Sequence, residues 1–333
     1  PPATLQSPTG EWLRGKIPKF SPQAKPAKDA ITIFGAREHN LQNLTVTIPL
    51  GQVVVIAGPS GSGKSTLAND ILAKALARHF HGSKEQPGAH DSITGLEHLE
   101  KFVLADQSGI GRSPRSNPAT FMGSFDLMRE IFAKLPLAKQ RGYGKSRFSF
   151  NAKGGRCERC QGNGKLRIEM HFLPDAWIEC PACLGKRFNR ETLEITYKGK
   201  SIADALEMSV AEAKTFFRVI PKLYRKLAAM DELGLGYLKL GQAGNTLSGG
   251  ESQRLKLALE ISKPESPHTL YLFDEPTTGL HFGDVEKLLI AIFRLRDAGH
   301  SVLIVEHHPD VLDAADHLIQ LGPGGGKKGG FLV

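Results

Sequence analysis

The stretch that most constrains the fold of this 333-residue chain is VVVIAGPSGSGKS, residues 53–65. An unbroken apolar run is typical of a strand that is buried on both faces of a sheet. The glycine-rich turn after it matches a P-loop, whose backbone N–H groups surround phosphate, and a helix-forming segment follows. The sequence therefore predicts a strand, P-loop and helix that bind Mg²⁺ and a nucleotide, with an ordinary glycine/serine turn as the alternative. The predicted nucleotide contacts are Gly58, Ser60, Gly61, Gly63, Lys64, Ser65 and Thr66.

Strand-like and helix-like segments alternate on both sides of a long interruption. Apolar runs at 101–107, 269–275 and 301–307 predict buried strands. One face of a predicted helix between the last two carries Val285, Leu288, Leu289, Ile292 and Leu295. This rhythm predicts an α/β fold with a parallel-type core that is interrupted by an insertion.

Composition shifts along the chain suggest where the domains begin and end. Residues 1–30 are rich in proline and lysine and predict a linker or arm. We expect the nucleotide-binding core at 31–110 and 246–333, with an insertion domain at 111–245. The centre of that insertion, about 141–192, is basic and dotted with glycine.

Polar residues with suitable chemistry follow the other predicted strands. Asp274 and Glu275 end one strand, where Asp274 is expected to hold Mg²⁺ through water and Glu275 to act as general base on the attacking water. Gln107 ends a second strand and His307 follows a third. The segment LSGGESQR, 247–254, opens a helix and predicts a second anion-binding N-terminus. Without a P-loop, a solvated acidic pair would be a reasonable reading of the two carboxylates.

All four cysteines of the chain lie in two C-x-x-C pairs, Cys157/Cys160 and Cys180/Cys183, with 19 residues between them. This spacing is typical of four thiolates around structural Zn²⁺. A redox dithiol, an iron–sulfur cluster and buried free cysteines are the competing interpretations. The expected cofactors are therefore ATP, Mg²⁺ and Zn²⁺.

Positive charge is concentrated around these cysteines. The chain has 43 Lys and Arg against 34 Asp and Glu, and residues 141–190 alone hold 11 against 4. Cations that alternate with aromatics suit nucleic acid; the alternative is a solvated face with the aromatics packed beneath it. Trp177 is expected to pack against the hairpin between the two pairs. The candidate DNA contacts are Arg112, Arg115, Lys145, Arg147, Lys153 and Arg156.

The P-loop, the strand-end glutamine, LSGGE, DEP and the following histidine together resemble the ABC-type ATPases. The resemblance implies that Ser248, Gly249 and Gly250 complete the ATP site of another copy or half. It makes Gln107 a γ-phosphate and Mg²⁺ sensor and His307 the switch histidine. The implied fold is an ABC-type P-loop ATPase core with a largely helical signature domain and an inserted zinc-binding β-hairpin module.

Longer motifs are similar to the UvrA family, among them DQSGIGRSPRSNPAT, RFSFNAKGGRCERCQGNG and DEPTTGLH. The resemblance runs from about residue 7 to 333 and implies the second ATPase half of the damage-recognising subunit of the bacterial excision nuclease. It implies a dimer that binds duplex DNA, damaged DNA above all, with a UvrB-like helicase partner for the full-length protein and the nuclease in other subunits.

The sequence departs from the family pattern at Gly109, His308, Gln320 and Gly324, which leaves a UvrA-like paralogue as a variant of this reading. No apolar run is long enough to cross a bilayer, so we expect a cytoplasmic protein without a membrane partner. Two alternatives from other classes are the ATPase subunit of a membrane exporter and a zinc-stabilised DNA-binding module whose ATP site is only a conformational clamp.

Overall fold

The computed structural model describes residues 26–111, 113, 115–170, 176–263, 268–280 and 282–333. Its strands are β1 Ala30–Ala36, β2 Leu44–Pro49, β3 Val53–Ala57, β4 Ser92–Thr94, β5 Lys101–Ala105, β6 Lys165–Ile168, β7 Ala176–Glu179, β8 Thr196–Tyr197, β9 Lys200–Ser201, β10 Thr269–Asp274, β11 Ser301–Val305, β12 His317–Gly322 and β13 Phe331–Leu332. Its α-helices are α1 Lys74–His81, α2 Pro118–Phe121, α3 Ser124–Ala133, α4 Pro136–Gln140, α5 Arg190–Leu193, α6 Ile202–Glu207, α7 Val210–Phe216, α8 Pro221–Met230, α9 Gly249–Ile261, α10 Phe282–Asp297 and α11 Pro309–Asp313. Wider π-helical turns cover Thr66–Ala73 and Asp231–Leu235. None of the helices in this part of the chain is long and apolar enough to cross a lipid bilayer.

The chain divides into two compact units, one formed by Pro1–Gln107 with Lys263–Val333 and the other by Ser108–Ser262. The second unit begins close to the expected boundary but ends later, since residues 246–262 lie in it and not in the nucleotide-binding core. The reason is packing: α9 contacts α8 and the π-turn that follows α8.

A six-stranded sheet organises the first unit, in the order β13-β12-β3-β11-β10-β5. All neighbouring pairs are parallel except β12 and β13. Every residue of β3 and of β11 is buried, which accounts for their unbroken apolar sequences. The register pairs Ile56 with Val305 and Val305 with Asp274, so the carboxyl ends of these strands meet at one edge of the sheet.

Helices and a small antiparallel sheet cover the faces of the large sheet. The antiparallel sheet has the order β2-β1-β4. It shares one apolar cluster with the helix after β3, which contributes Leu67, Ile71, Leu72 and Leu76. The predicted apolar face of α10 is confirmed, because its five residues are all buried and the helix packs on β11 and β3.

The second unit consists of α2 to α9 with two short hairpins, β6–β7 and β8–β9. Its core contains an aromatic cluster in which Phe148 packs on Phe132, and Phe150 stacks on Phe125. Because Phe148 and Phe150 are fully buried, they are not available to stack on bases, and the packed alternative is the correct one for them. Trp177 lies on β7 and is 52% exposed, so its packing against the hairpin stays a prediction.

Candidate functional site

The P-loop is folded so that glycine is required at two of its positions. Gly58 has φ +145°, and a Cβ there would lie 2.1 Å from the carbonyl oxygen of Leu321. Gly63 has φ +103°, and a Cβ there would lie 2.6 Å from Leu41. Lys64 is only 9% exposed, and its Nζ donates to the carbonyl oxygens of Gly58 and Pro59 at 2.8 and 3.0 Å. The lysine is therefore held across its own loop, where a phosphate-binding ammonium is needed.

Residues far away in sequence support this loop, and sequence reasoning missed them. The Nδ2 of Asn40 donates to the carbonyl oxygens of Gly61 and Gly326 at 2.9 and 3.2 Å. The Gly326 amide donates to the Gly61 carbonyl, and the Gly330 amide to the Ser62 carbonyl. The glycine-rich segment 323–330 thus forms the outer wall of the P-loop. Its run of glycines was visible in the sequence, but nothing local linked it to a loop more than 260 residues earlier.

The residues expected at the strand ends lie at the same edge of the sheet as the P-loop. The Oδ2 of Asp274 accepts from Nδ2 of Asn69, on the helix after the P-loop, at 2.8 Å. The Nε2 of Gln107 donates to the carbonyl oxygen of Glu275 at 3.4 Å. Glu275 itself has φ +46°, a left-handed conformation that is uncommon outside glycine and is found at functional turns. The carboxylates of Asp274 and Glu275 and the exposed His307 therefore lie along the edge of the sheet that carries the P-loop.

The LSGGE segment forms an N-terminal cap for α9. Ser248 Oγ accepts from the Glu251 amide at 3.2 Å, while Glu251 Oε2 accepts from the Ser248 amide at 2.7 Å. The serine oxygen is thus an acceptor inside the cap, which leaves the hydroxyl hydrogen to donate elsewhere. Gly249 and Gly250 form the first turn, whose amides point away from the helix.

Tyr237, which the sequence patterns did not indicate, holds this cap from outside. Its hydroxyl donates to Glu251 Oε1 at 2.6 Å. Burial and the neighbouring Glu251 carboxylate raise the pKa of Tyr237 to about 12, so the phenol is a neutral donor. Burial works against ionisation of Glu251, but the hydrogen bonds from Tyr237 and Ser248 outweigh it and lower the pKa of that carboxyl.

The four cysteines form one buried cluster in the second unit. Their Sγ atoms all lie within 4.8 Å of one another. Cys157 and Cys180 are 4.0 Å apart, and Cys160 and Cys183 are 3.6 Å apart. A tetrahedral Zn²⁺ with Zn–S bonds of about 2.3 Å would set sulfur atoms about 3.8 Å apart. The two distances bracket that value, so the cluster has the size and donor set for a metal ion.

The surroundings of the thiols also suit a metal ion. Burial raises the pKa of Cys160 and of Cys183. Burial opposes ionisation of Cys180 too, but backbone amides of Cys183 and Ala182 outweigh it and lower the pKa of Cys180 to about 7. A buried quartet in which two thiols resist ionisation needs a cation to become four thiolates.

Arg187 joins this cluster to the segment that leads to the α9 cap. Its Nη2 donates to the carbonyl oxygen of Gly241 at 3.2 Å, and its guanidinium lies over the Phe150 ring at 5.3 Å. Burial lowers the pKa of Arg187, although the nearby Cys160 and Cys183 favour its charge. The guanidinium therefore also places a positive charge beside the thiol cluster.

Three of the arginines proposed as DNA contacts are engaged within the second unit. Arg147 donates from Nε to Thr192 Oγ1 at 2.9 Å, and its guanidinium lies 4.3 Å from the centroid of the Tyr143 ring. Arg156 pairs with Glu158 at 3.2 Å and keeps only 12% of its side chain exposed. The guanidinium groups of these two arginines therefore have local acceptors, and their contact with DNA stays a prediction.

Arg115 likewise donates to Asn163 Oδ1 at 3.0 Å and to the Gln161 carbonyl, beside the first cysteine pair. Lys145 pairs with Glu130 at 2.7 Å on the surface, where such a pair is weak and can exchange. Lys153 is exposed. Arg112 lies outside the described residues.

Comparison with known proteins gives consistent matches over nearly the whole chain. UvrABC system protein A of Thermus thermophilus is 54% identical over 330 residues, which cover 98% of this chain and 35% of that protein. UvrABC system protein A of Aquifex aeolicus is 56% identical over 327 residues, again covering 35% of its length. The chain thus spans about a third of the length of these curated relatives.

A solved structure and a family model also match. The crystal structure of UvrA2 from Deinococcus radiodurans superposes with a TM-score of 0.89 at 46% identity, over 98% of this chain and 40% of that one. A family model described as "ABC transporter" matches residues 41–82, which include the P-loop.

Proposed function

Because this chain belongs to the UvrA family, we propose that it is an ATP-hydrolysing segment of a protein that recognises damaged DNA in nucleotide excision repair. The observation that carries the proposal is that the P-loop lies at the same sheet edge as three strand ends with candidate catalytic residues, in a chain whose inserted unit holds a cysteine cluster. An exporter ATPase would account for the first feature alone.

In this proposal the first unit binds and hydrolyses ATP. Lys64 and the P-loop amides hold the β- and γ-phosphates, while Ser65 and Asp274 would hold Mg²⁺, which neutralises developing phosphate charge. Glu275 orients and deprotonates the attacking water. Gln107 senses the γ-phosphate and Mg²⁺, and His307 acts as the switch histidine. Asn69 fixes the Asp274 carboxylate from the helix that the P-loop begins.

A second copy or a second ATPase half completes the site. The Ser248 hydroxyl and the amides of Gly249 and Gly250 are oriented to donate to an anion that approaches the start of α9. Since one chain has one P-loop and one such cap, two such chains or halves are needed to form a pair of composite sites. We propose a dimer for the full-length protein and a UvrB-like helicase as its later partner, all in the cytoplasm.

The cysteine cluster is proposed to hold structural Zn²⁺, and the basic surface around it to bind duplex DNA. The distances between sulfurs support four thiolate ligands, because they match the edges of a zinc tetrahedron. Among the cations first considered, Lys145 and Lys153 are accessible to phosphate, and Arg159 and Lys165 add exposed charge beside them. Arg115, Arg147 and Arg156 build the surface and do not contact DNA themselves.

The first experiment is a titration of this chain, with ATP, against a duplex with and without one bulky adduct at several salt concentrations. Tighter binding to the adduct would place damage discrimination in this segment, while equal and steeply salt-dependent binding would give it only the phosphate contacts. The absence of any binding would refute the DNA-binding proposal and favour the exporter ATPase.

A matched pair of variants sharpens this test. Lys145→Glu with Lys153→Glu is expected to weaken binding to all sequences and to reduce the slope of log K against log salt by about 2, at about 0.9 per lost phosphate contact. Lys84→Glu with Lys287→Glu makes the same change in net charge on the first unit, at exposed positions. If both pairs weaken binding equally, only net charge matters and the proposed surface is wrong.

A further inference from the structure

Glu306, directly after β11, is a fully buried carboxylate that neither the family motifs nor the proposed ATP chemistry uses. Burial of a carboxylate is costly unless hydrogen bonds compensate for lost water. Here they do: Oε1 accepts from the amide and the hydroxyl of Thr277, and Oε2 accepts from the amides of His307 and His308 at 2.5 and 3.0 Å. Both oxygens therefore have two donors each.

These donors come from two different loops at the edge of the sheet that carries the P-loop. Thr277 lies in the turn that follows Glu275 after β10, whereas His307 and His308 follow β11. The Glu306 amide also donates to the carbonyl oxygen of Ile56 in β3, two residues before the P-loop begins. One side chain thus connects the general-base turn with the switch-histidine turn, on a backbone that is tied to the P-loop strand.

The same carboxylate faces the His307 ring. Nδ1 of His307 lies 3.4 Å from Glu306 Oε2, while 70% of the side chain is exposed. A carboxylate beside Nδ1 favours the tautomer with a proton on that nitrogen, which leaves Nε2 as a hydrogen-bond acceptor, able to accept from the attacking water. Such contacts are often long without substrate and shorten when it binds.

We propose that Glu306 is a positioning residue for ATP hydrolysis. It sets the tautomer and orientation of the His307 ring. It also holds the Thr277 turn, and with it Glu275, at a fixed position relative to that ring. The inference rests on the proposed ATPase function. If Glu306 only accepted hydrogen bonds from buried amides, its substitution would lower the stability of the first unit but would not specifically change His307.

The central variant is Glu306→Gln, whose NH₂ group must face either the Thr277 donors or the two histidine amides. We expect kcat for ATP to fall at least about tenfold, the lower end of losses seen when an orienting group is removed, with KM changed less than twofold. In two-bond ¹H–¹⁵N spectra at a pH where imidazole is neutral, His307 should be the Nδ1–H tautomer in the wild type and lose that preference in the variant. His307→Asn assigns its signals.

Asp316→Asn is the matched control. The side chain of Asp316 is also fully buried, pairs with Arg296 at 2.9 Å and accepts from the Val53 amide at the opposite, amino end of β3. Its loss should destabilise the first unit but leave kcat and the His307 spectrum unchanged.

Thr277→Val and Thr277→Ser separate the two parts of the proposal, and they remain informative if Glu306→Gln fails to fold. The valine variant loses one donor to Glu306 and should lower kcat several-fold, while the serine variant keeps the hydroxyl and should retain kcat. An equal kcat in the two Thr277 variants would overturn the proposal that Glu306 positions the Thr277 turn.

Two results would overturn the proposed effect of Glu306 on the His307 ring. One is a neutral wild-type His307 protonated on Nε2, and the other is a folded Glu306→Gln variant in which the His307 tautomer and kcat are unchanged. If the wild-type chain, assembled with a second ATPase half, hydrolysed no ATP at all, the proposed function would fail. The ¹H–¹⁵N spectra alone would then decide whether Glu306 sets the tautomer of His307.

Discussion

Arg147 offers the clearest way to separate structural cations from DNA-binding ones. Its guanidinium donates to the buried Thr192 hydroxyl and lies over the Tyr143 ring, with 22% of the Arg147 side chain exposed. A hydrogen bond from a charged group contributes about 1.5–3 kcal/mol, and a partly exposed cation–π contact about 0.5–2 kcal/mol. After allowance for the exposed fraction, Arg147→Ala should lower the free energy of unfolding of the second unit by about 2–3 kcal/mol.

The assay is urea unfolding followed by the fluorescence of Trp177, which lies on β7 in the same unit. The chain has two tryptophans, so Trp12→Phe provides the background. With an m-value of about 1–3 kcal/mol per molar urea, the midpoint should fall by about 0.7–3 M. DNA affinity is then measured at concentrations of urea where each variant is folded.

Arg147→Lys is the informative control, because it keeps the charge but loses the planar fork. We expect it to be nearly as unstable as the alanine variant, whereas Lys153→Ala should keep full stability and reduce the salt slope of DNA binding by about 1. The reasoning is refuted if Arg147→Ala is as stable as the wild type but binds DNA as weakly as a phosphate-contact variant.

Three other changes test the remaining sites. Gly58→Ala should abolish binding of a non-hydrolysable ATP analogue in calorimetry, since the new Cβ would lie 2.1 Å from the Leu321 carbonyl. Gly283→Ala, with open space around it and no left-handed backbone conformation, should bind normally. Tyr237→Phe should reduce ATP turnover about 2- to 5-fold through loss of one hydrogen bond of about 0.5–1 kcal/mol, while analogue binding stays unchanged; weaker analogue binding would argue against its role at the α9 cap. Cys183→Ser should lower the bound zinc, measured by mass spectrometry, from one equivalent and reduce the thermal stability of the second unit, and a metal-free wild type of equal stability would contradict the zinc proposal.

The parts of this molecule that could be predicted from sequence are those whose signals are local. Unbroken apolar runs fixed β3 and β11, because a strand covered on both faces needs apolar residues throughout. The P-loop glycines mark left-handed or crowded positions, and the C-x-x-C spacing brought the four sulfurs together. In each case a few adjacent residues carry the whole physical requirement.

What could not be predicted depends on partners that the fold brings from elsewhere. A basic run looks the same whether its cations face solvent or local acceptors, and only the position of Thr192 and Glu158 shows that Arg147 and Arg156 are engaged. Likewise, the sequence did not indicate that Trp177, on the two-stranded β6–β7 hairpin, would be 52% exposed. Glu306 escaped notice because two of its four donors come from Thr277, in a turn 29 residues earlier.

The strand order around β3 has a consequence for the timing of biosynthesis. Both neighbours of β3, namely β11 and β12, are translated more than 240 residues after it, and the glycine wall of the P-loop comes later still. At about 5–20 residues per second, a ribosome needs roughly 10–50 s to cover that interval. During that time the P-loop lacks the neighbouring strands that shape it. The whole second unit, in contrast, has left the ribosome or is about to leave it. A nascent chain of this kind would therefore acquire its cysteine-centred unit first and its nucleotide pocket last, so that an interrupted translation product cannot consume ATP.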